Sequence, residues 1–466
     1  MTVRALALLV PVTLGGCVES RPAAPPAAAV VAPLTWRTAT PHGTAGTTVQ
    51  PGWWFAFGDP MLAGLVERAL AGNPDIAIAA NRVIEARAQE QFARAQLAPT
   101  VGGGLPVSDG RAVSALGTPA TNLGFQPAIQ ASYDLDLFGR LAQASAAARA
   151  QLLASEGARD TVRLAVASSV ASGYITLRAL DQRLAIARDT LAARAEALRI
   201  ARRRAETGYT SNLEARQAEA EYHATEQLVP QAELAIARQE NALSLLLGDA
   251  PGPIPRNAAL PELRTPAIPD GLPANLLRRR PDLFQAEQSL VAADRTLDSA
   301  RAALLPNIGL TGSAGLVLST ALSNPVGVFS LGGSVLSPIF DAGRLRSQVD
   351  AATARRDQGA FAYRRSALTA FREVDDGLVA VRRLGEQATA LRLQRDALAA
   401  ALRNATNRYR AGYSSYLEQL DAQRGLLNAD LALVQATADR LTGYVALYQA
   451  FGGGWSEADV EGLASR

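Results

Sequence analysis

The sequence predicts a mainly α protein with a membrane β-barrel portion, built as a duplicated unit of long coiled-coil helices with two strands in each copy. Three observations predict it. The chain repeats itself at a distance of 204–207 residues; two proline-free stretches of 69 residues are filled with strong helix formers; and short segments between helices alternate strictly in polarity.

The N-terminus reads as an address. Arg4 gives a positive start, Ala5 to Leu14 an apolar run, and Gly15-Gly16 precede Cys17. This is a secretory signal, residues 1–16. Leu14-Gly15-Gly16-Cys17 resembles the lipobox of bacterial lipoproteins, which implies a covalent lipid on Cys17 (N-palmitoyl and S-diacylglycerol). Each buried methylene would add about 0.8 kcal/mol of membrane affinity. Residue 18 is Val, not Asp, so by the same resemblance no inner-membrane retention signal is present. Residues 17–50 then carry a Pro/Ala linker that is expected to be semi-rigid and without a core.

The body is two copies of one unit, 51–250 and 274–454, joined by a linker at 251–273 and followed by a tail at 455–466. Asn73-Pro74-Asp75-Ile76 answers Arg280-Pro281-Asp282-Leu283. Leu97-Ala98-Pro99 answers Leu304-Leu305-Pro306, and Gly139-Arg140-Leu141 answers Gly343-Arg344-Leu345. Gly208-Tyr209 with Leu213-Glu214 answers Gly412-Tyr413 with Leu417-Glu418. Four markers in one order mean duplication.

The stretches 139–207 and 343–411 are rich in Ala, Leu, Arg and Gln, all good helix formers. Val170, Leu177, Leu184, Leu191 and Leu198 recur every seven residues, as do Leu384, Leu391 and Leu398. That period implies a left-handed supercoil. Each helix would be about 100 Å long at 1.5 Å per residue. Shorter helices are expected at 74–98 and 211–247, and at 281–305 and 415–451. Stacked end to end, each short pair nearly matches its long helix. Pro230 should kink the first unit's last helix.

Between short and long helices the period changes to two. Ile129, Tyr133, Leu135 and Leu137 alternate with Gln130, Ser132 and Asp134; Ile308, Leu310, Leu316 and Leu318 alternate with Thr311 and Ser313. These are strands with one apolar face, expected at 125–137 and 307–318. Gly-rich partners are expected at 100–110 and 326–339. Four strands cannot close a membrane barrel, and open edges in lipid are prohibitive. Other copies must complete the sheet, and a lumen wider than an eight-strand barrel requires at least three.

Composition excludes most other classes. Basic and acidic residues number 46 and 43, so no nucleic-acid partner is indicated. One Cys, two Met and the widely separated His42 and His223 offer no metal site. Gly102–Gly104 and Gly452–Gly454 lack the Lys-Ser/Thr of a phosphate cradle. Carboxylates fall at helical positions expected to be solvated. No catalytic set and no cofactor are expected, so the chain should not be an enzyme.

Two stretches carry a family resemblance. One is Gly271-Leu272-Pro273-Ala274-Asn275-Leu276-Leu277, continuing through Arg278-Arg279-Arg280-Pro281-Asp282; the other is Trp54 to Leu65, with Asp59-Pro60 and Leu62. With the lipobox and the duplicated plan, they resemble the outer-membrane factors of tripartite efflux systems, the TolC/OprM/NodT lipoprotein family. The resemblance covers nearly the whole mature chain. It implies a homotrimer with a shared twelve-strand barrel and an α-helical tunnel with an equatorial belt, anchored in the outer-membrane bilayer and reaching into the periplasm. It implies a periplasmic adaptor as partner and, through it, an inner-membrane RND transporter. The function implied is a passive exit duct for small molecules; the alternatives are a polypeptide export channel or a pore-less coiled-coil lipoprotein.

The same resemblance places a gate at the periplasmic tip. The hairpin tips are Gly208-Tyr209 and Gly412-Tyr413. A leucine ring maps to Leu417, an aspartate ring to Asp421, a gate-linking tyrosine to Tyr409, and Glu418 to a position acidic in some members. An arginine restraint found in some members maps to Ser414. Leu417 and Asp421 are one turn apart and can face one side. Threefold symmetry would bring three carboxylates toward the axis, where they attract cations.

Overall fold

The computed structural model describes residues 23–37, 49–113, 117, 119–269, 273–320 and 322–457. The signal, Cys17, Gly271, Leu272 and residues 458–466 lie outside the described residues.

Two helices of 67 residues each set the frame, α3 (Arg140–Glu206) and α8 (Arg344–Arg410). Their starts are built alike. Asp136 accepts from the Leu141 and Ala142 amides at 3.0 and 2.7 Å. Asp341 accepts from the Gly343 and Leu345 amides at 3.0 and 2.9 Å. These carboxylates take up amides that no helical carbonyl can reach. Gly139 and Gly343, at φ +75° and +82°, make the turn from strand to helix.

The upper half of α3 packs on α2 (Pro74–Ala95) and α7 (Pro281–Ala302), and the lower half on α4 (Asn212–Glu226), α5 (Leu228–Leu247) and α9 (Tyr416–Ala450). α8 packs on α7 and α9. The first unit's last helix breaks at Gln227, where Pro230 has no N–H for the Glu226 carbonyl. A helix not foreseen in the sequence, α1 (Pro60–Gly72), precedes α2, and a single turn, α6 (Pro273–Leu276), precedes α7.

Among the described residues the sheet has four antiparallel lanes in six segments. β1 (Thr100–Gly104) and β2 (Val107–Val113) form one lane; β3 (Pro119–Phe125) and β4 (Ala128–Leu135) form the next. β5 (Asn307–Ser319) pairs with both β3 and β4, and β6 (Val326–Leu336) pairs with β5. The expected bounds therefore change. The first strand runs past 110 to Val113, the second begins at Pro119 instead of 125, and those expected to end at 137 and 339 stop at Leu135 and Leu336. Pro106 and Pro127 have no N–H for the ladder and divide the first two lanes; the Gln126 amide to the Pro106 carbonyl, 3.0 Å, carries the pairing past them.

Register assigns the faces. Val101, Ile129, Tyr133, Leu310, Leu316, Phe329, Leu331 and Val335 share one, with Phe329 and Leu331 more than four-fifths exposed. Thr100, Gln130, Ser132, Thr311, Ser313 and Ser330 share the other. There Thr100 and Ser132 hydroxyls lie 2.7 Å apart, and Ser313 and Ser330 2.8 Å. Among the described residues, the β1–β2 lane and β6 end the sheet, each with one unpaired edge. No described helix is long and apolar enough to cross a membrane.

The main core lies halfway down the long helices, at Val166–Ala179 of α3 and Ala367–Val381 of α8. Each repeat makes the same close approach there. A Cβ on Gly173 would stand 2.9 Å from Leu243 Cδ2, and one on Gly377 would stand 3.0 Å from Leu447 Cδ1. Each repeat also closes on itself alike. The Asn73 amide group donates to the Leu246 carbonyl at 2.8 Å; Arg280, its counterpart, donates to the Ala450 carbonyl at 3.0 Å.

The linker between the repeats is packed over its described residues 251–269: Ile254, Leu260 and Leu263 are buried in this core, and Arg256 bonds Asp181 and Glu240 at 2.8 and 2.7 Å. The Pro/Ala stretch, expected to have no core, packs as well. From 23 to 37 it runs along α8, with Arg356 donating to the Ala23 carbonyl (3.2 Å), the Arg37 amide donating to Asp375 (3.1 Å), and Trp36 edge-on to Phe371 and Phe451. Its small and proline-bound residues lie flat on a helix and lose little entropy in doing so.

The glycine run Gly452–Gly454 serves this belt. All three have positive φ, and a Cβ on Gly452 would stand 1.8 Å from the Arg279 carbonyl oxygen. Gly452→Ala adds that clash to about 1–2 kcal/mol of left-handed strain. It should lower the melting temperature of the detergent-solubilised protein by several degrees or prevent its accumulation. Gly64→Ala, in an exposed helical site with open space around it, should leave melting unchanged or slightly raised.

Candidate functional site at the helical tip

The tip opposite the sheet joins two helical hairpins, α3–α4 and α8–α9. Both turns use a left-handed glycine, Gly208 at φ +73° and Gly412 at +82°. The next amides reach back five residues, Tyr209 to the Arg204 carbonyl (2.8 Å) and Tyr413 to the Arg408 carbonyl (2.9 Å). These bonds satisfy the last helical carbonyls. Tyr209 and Tyr413 project outward, 71% and 79% exposed.

A small core of its own holds the tip. Leu198, Ala201, Ala218, Tyr409, Tyr416 and Leu420 are buried together, with Tyr222 against them. The Tyr409 and Tyr416 rings lie 5.8 Å apart. Tyr409 crosses between the hairpins and donates its hydroxyl to the Glu214 carboxylate. The Arg204 guanidinium covers its ring at 4.7 Å. Burial, and then the bond to Glu214, push the Tyr409 hydroxyl up to about 12, so it stays a donor at physiological pH.

Leu417 and Asp421 are both exposed on α9, Leu417 by 52%. Glu418 turns away from them toward its own hairpin, 3.5 Å from Arg408. Ser414 carries a buried hydroxyl that meets no hydrogen-bond partner among the described residues. It supplies no link between the hairpins, and Thr210, at the same place in the first repeat, is in the same position.

Sequence reasoning missed the ion pairs behind these residues. Arg194 of α3, 4% exposed, donates to the Glu221 carboxylate and to its backbone carbonyl, the latter at 2.9 Å. Arg424 of α9 donates to the same carboxylate, with Nε at 2.9 Å. Burial drives the Glu221 carboxyl up, but the two guanidiniums outweigh it and hold it below the ordinary carboxylate value. Four carboxylates depart from the expected solvated positions, since Asp59, Glu90, Glu156 and Glu221 are buried. A periodicity reading cannot see this, because a charge on an inward helix face is hidden among equally spaced charges on the outward one.

The two stretches that carry the family resemblance fix the belt. Asp59 accepts from the Met61 amide (2.8 Å) and from the Tyr174 hydroxyl (2.7 Å), with Asp59 and Tyr174 both buried. Arg280 is buried between Asp282 and Glu373, each at 2.8 Å, while Arg278 and Arg279 are exposed. Of that arginine run, Arg280 has the buried side chain.

Comparison with known proteins agrees with this architecture. The family model described as outer membrane efflux protein matches residues 65–249 and 272–453. The solvent efflux pump outer membrane protein SrpC of Pseudomonas putida is 36% identical over 472 residues, covering 98% of this chain and 99% of SrpC. Among solved structures, a membrane protein from Pseudomonas aeruginosa superimposes with a TM-score of 0.83 at 32% identity, over 92% of this chain and 98% of that one. The open state of the MtrE outer membrane channel of Neisseria gonorrhoeae superimposes with a TM-score of 0.79 at 30% identity, over 91% and 98%. The chain belongs to the outer membrane efflux protein family, and it is an outer-membrane channel component of an efflux pump, not an enzyme.

Proposed function

We propose that three copies assemble into a twelve-strand barrel over an α-helical tunnel, a passive duct that carries small molecules from the periplasm out of the cell. One observation carries this reading: the sheet is apolar on one face, lined with hydroxyls on the other, and unpaired at both edges. Lipid accepts the apolar face but neither edge. Three copies supply twelve lanes, enough for an aqueous lumen. Kinship to a solvent efflux component favours small molecules over polypeptides as cargo. A periplasmic adaptor would dock on the duct and join it to an inner-membrane RND transporter.

The acyl group on Cys17 would anchor each copy beside the barrel. Six peptide steps separate Cys17 from Ala23, a reach of at most about 20 Å. Ala23 is bound to Arg356, twelve residues below Arg344 at the barrel end of α8, or about 18 Å. The chain is long enough to put the lipid at the membrane surface. Mass spectrometry of the mature N-terminus should find acylated Cys17; a mature chain beginning elsewhere would refute the anchor.

The tip is the closed gate in this reading. Leu417 would plug the axis, and Asp421 would form a carboxylate ring one turn above it. In planar bilayers the unaltered protein should show a small resting conductance. Leu417→Ala removes three apolar plugs and should raise it. Asp421→Ala should weaken block by divalent cations added from the periplasmic side, less so in high salt, where screening already lowers the site potential. Glu418→Ala should do less, because Glu418 faces Arg408. Assembled Leu417→Ala and Asp421→Ala channels with unchanged conductance and block would place the gate elsewhere.

A further inference from the structure

The two repeats use different chemistry at one equivalent place. In the second repeat, Leu398 of α8 rests on Gly425 of α9, where a Cβ would stand 3.1 Å from Leu398 Cδ2. The first repeat has Arg194 and Glu221 at these positions, 204 residues earlier. Leu398 on Gly425 shows that long and short helices can pack there without charge. A buried ion pair in the same position is costly and adds little net stability to a hairpin, so packing within α3–α4 does not account for it.

The Glu221 carboxylate has a use beyond its hairpin, since it also takes Arg424 from α9. Arg194 thus holds an acceptor in place for the other hairpin. The contact lies three residues beyond Asp421 along α9. Below it, Tyr409 reaches Glu214 and takes the Arg204 guanidinium over its ring, a second tie between the hairpins; the Ser414 hydroxyl makes none among the described residues.

We propose that Glu221, positioned by Arg194, is an upper latch of the tip: through Arg424 it ties α9 to the α3–α4 hairpin and keeps Leu417 and Asp421 at the closed position. The latch rests on the reading of the tip as a gate. Its parts have separate tasks. Arg194–Glu221 is internal to one hairpin and stays made when the tip opens. Glu221–Arg424 spans two hairpins, and Arg424 is half exposed, so this half can part and re-form.

Arg424→Gln tests the latch without touching the buried pair. In planar bilayers it should raise resting conductance about two- to fivefold, the range expected for a partly exposed ion pair, and Arg424→Lys should restore most of the closure. Arg424 also lies in the field of Asp421, so the same substitution is measured in an Asp421→Asn background; a latch keeps its effect there. The double variant Arg194→Leu, Glu221→Gly copies the second repeat's packing. It should assemble, leak as Arg424→Gln does, and leak no further when Arg424→Gln is added. If Leu417→Ala opens the channel and Arg424→Gln does not, or if the Arg424→Gln effect vanishes with Asp421→Asn, the latch is wrong and the gate stands. If Leu417→Ala also leaves conductance unchanged, the gate reading itself fails.

Discussion

The outward N–H and C=O groups of β1 and β6 need partners that a single chain does not provide. In water they would be solvated; in a bilayer an unsatisfied pair costs several kcal/mol. That requirement orders the rest of the molecule. A four-lane sheet with an apolar outer face and an inner face of Thr, Ser and Gln is an arc of a barrel wall. The helices below continue as an arc of a tunnel wall. α8 packs on α7 and α9, and α2 packs on α3, so the outer sides of α8 and α2 bound the helical layer as β6 and β1 bound the sheet. Exposed Phe361 and Leu368 on α8, and Ile78, Ile84 and Phe92 on α2, suit contact with further copies.

Duplication gives that wall its regularity. Gly173 under Leu243 and Gly377 under Leu447 are one contact made twice, as are Asn73 to Leu246 and Arg280 to Ala450. These contacts sit at the belt, where each repeat closes, and they let two long helices run parallel for about 100 Å without a globular domain around them. Departures from the symmetry are then informative. Glu418 pairs within its own hairpin, while its counterpart Glu214 accepts from Tyr409 across the hairpins. Arg194 and Glu221 replace Leu398 and Gly425. The differences gather at the tip, where the two hairpins must meet each other and not only themselves.

Most of the fold was legible because it depends on periodicity and punctuation. The bounds 139–207 and 343–411 came within one residue of α3 and α8 at each end, since glycine starts and tips mark them. Pro230 located the break between α4 and α5. Strand bounds were less legible, because Pro106 and Pro127 divide lanes that the register carries through. The belt was largely hidden: α1, the packed 251–269 segment and the strap at 23–37 depend on contacts between residues hundreds apart, such as Arg37 with Asp375. At the tip, Gly208, Gly412 and Tyr409 could be placed by motif, while Arg194, Glu221 and Arg424 come together only in three dimensions.

This chain makes a closed wall only with further copies of itself. Native mass spectrometry of the full-length protein, released from gentle detergent, should then show a single dominant species with the mass of three chains, dissociating only as strand content is lost. A stable, monodisperse monomer that keeps its full strand content would contradict it, because the edges of β1 and β6 would then have no partner.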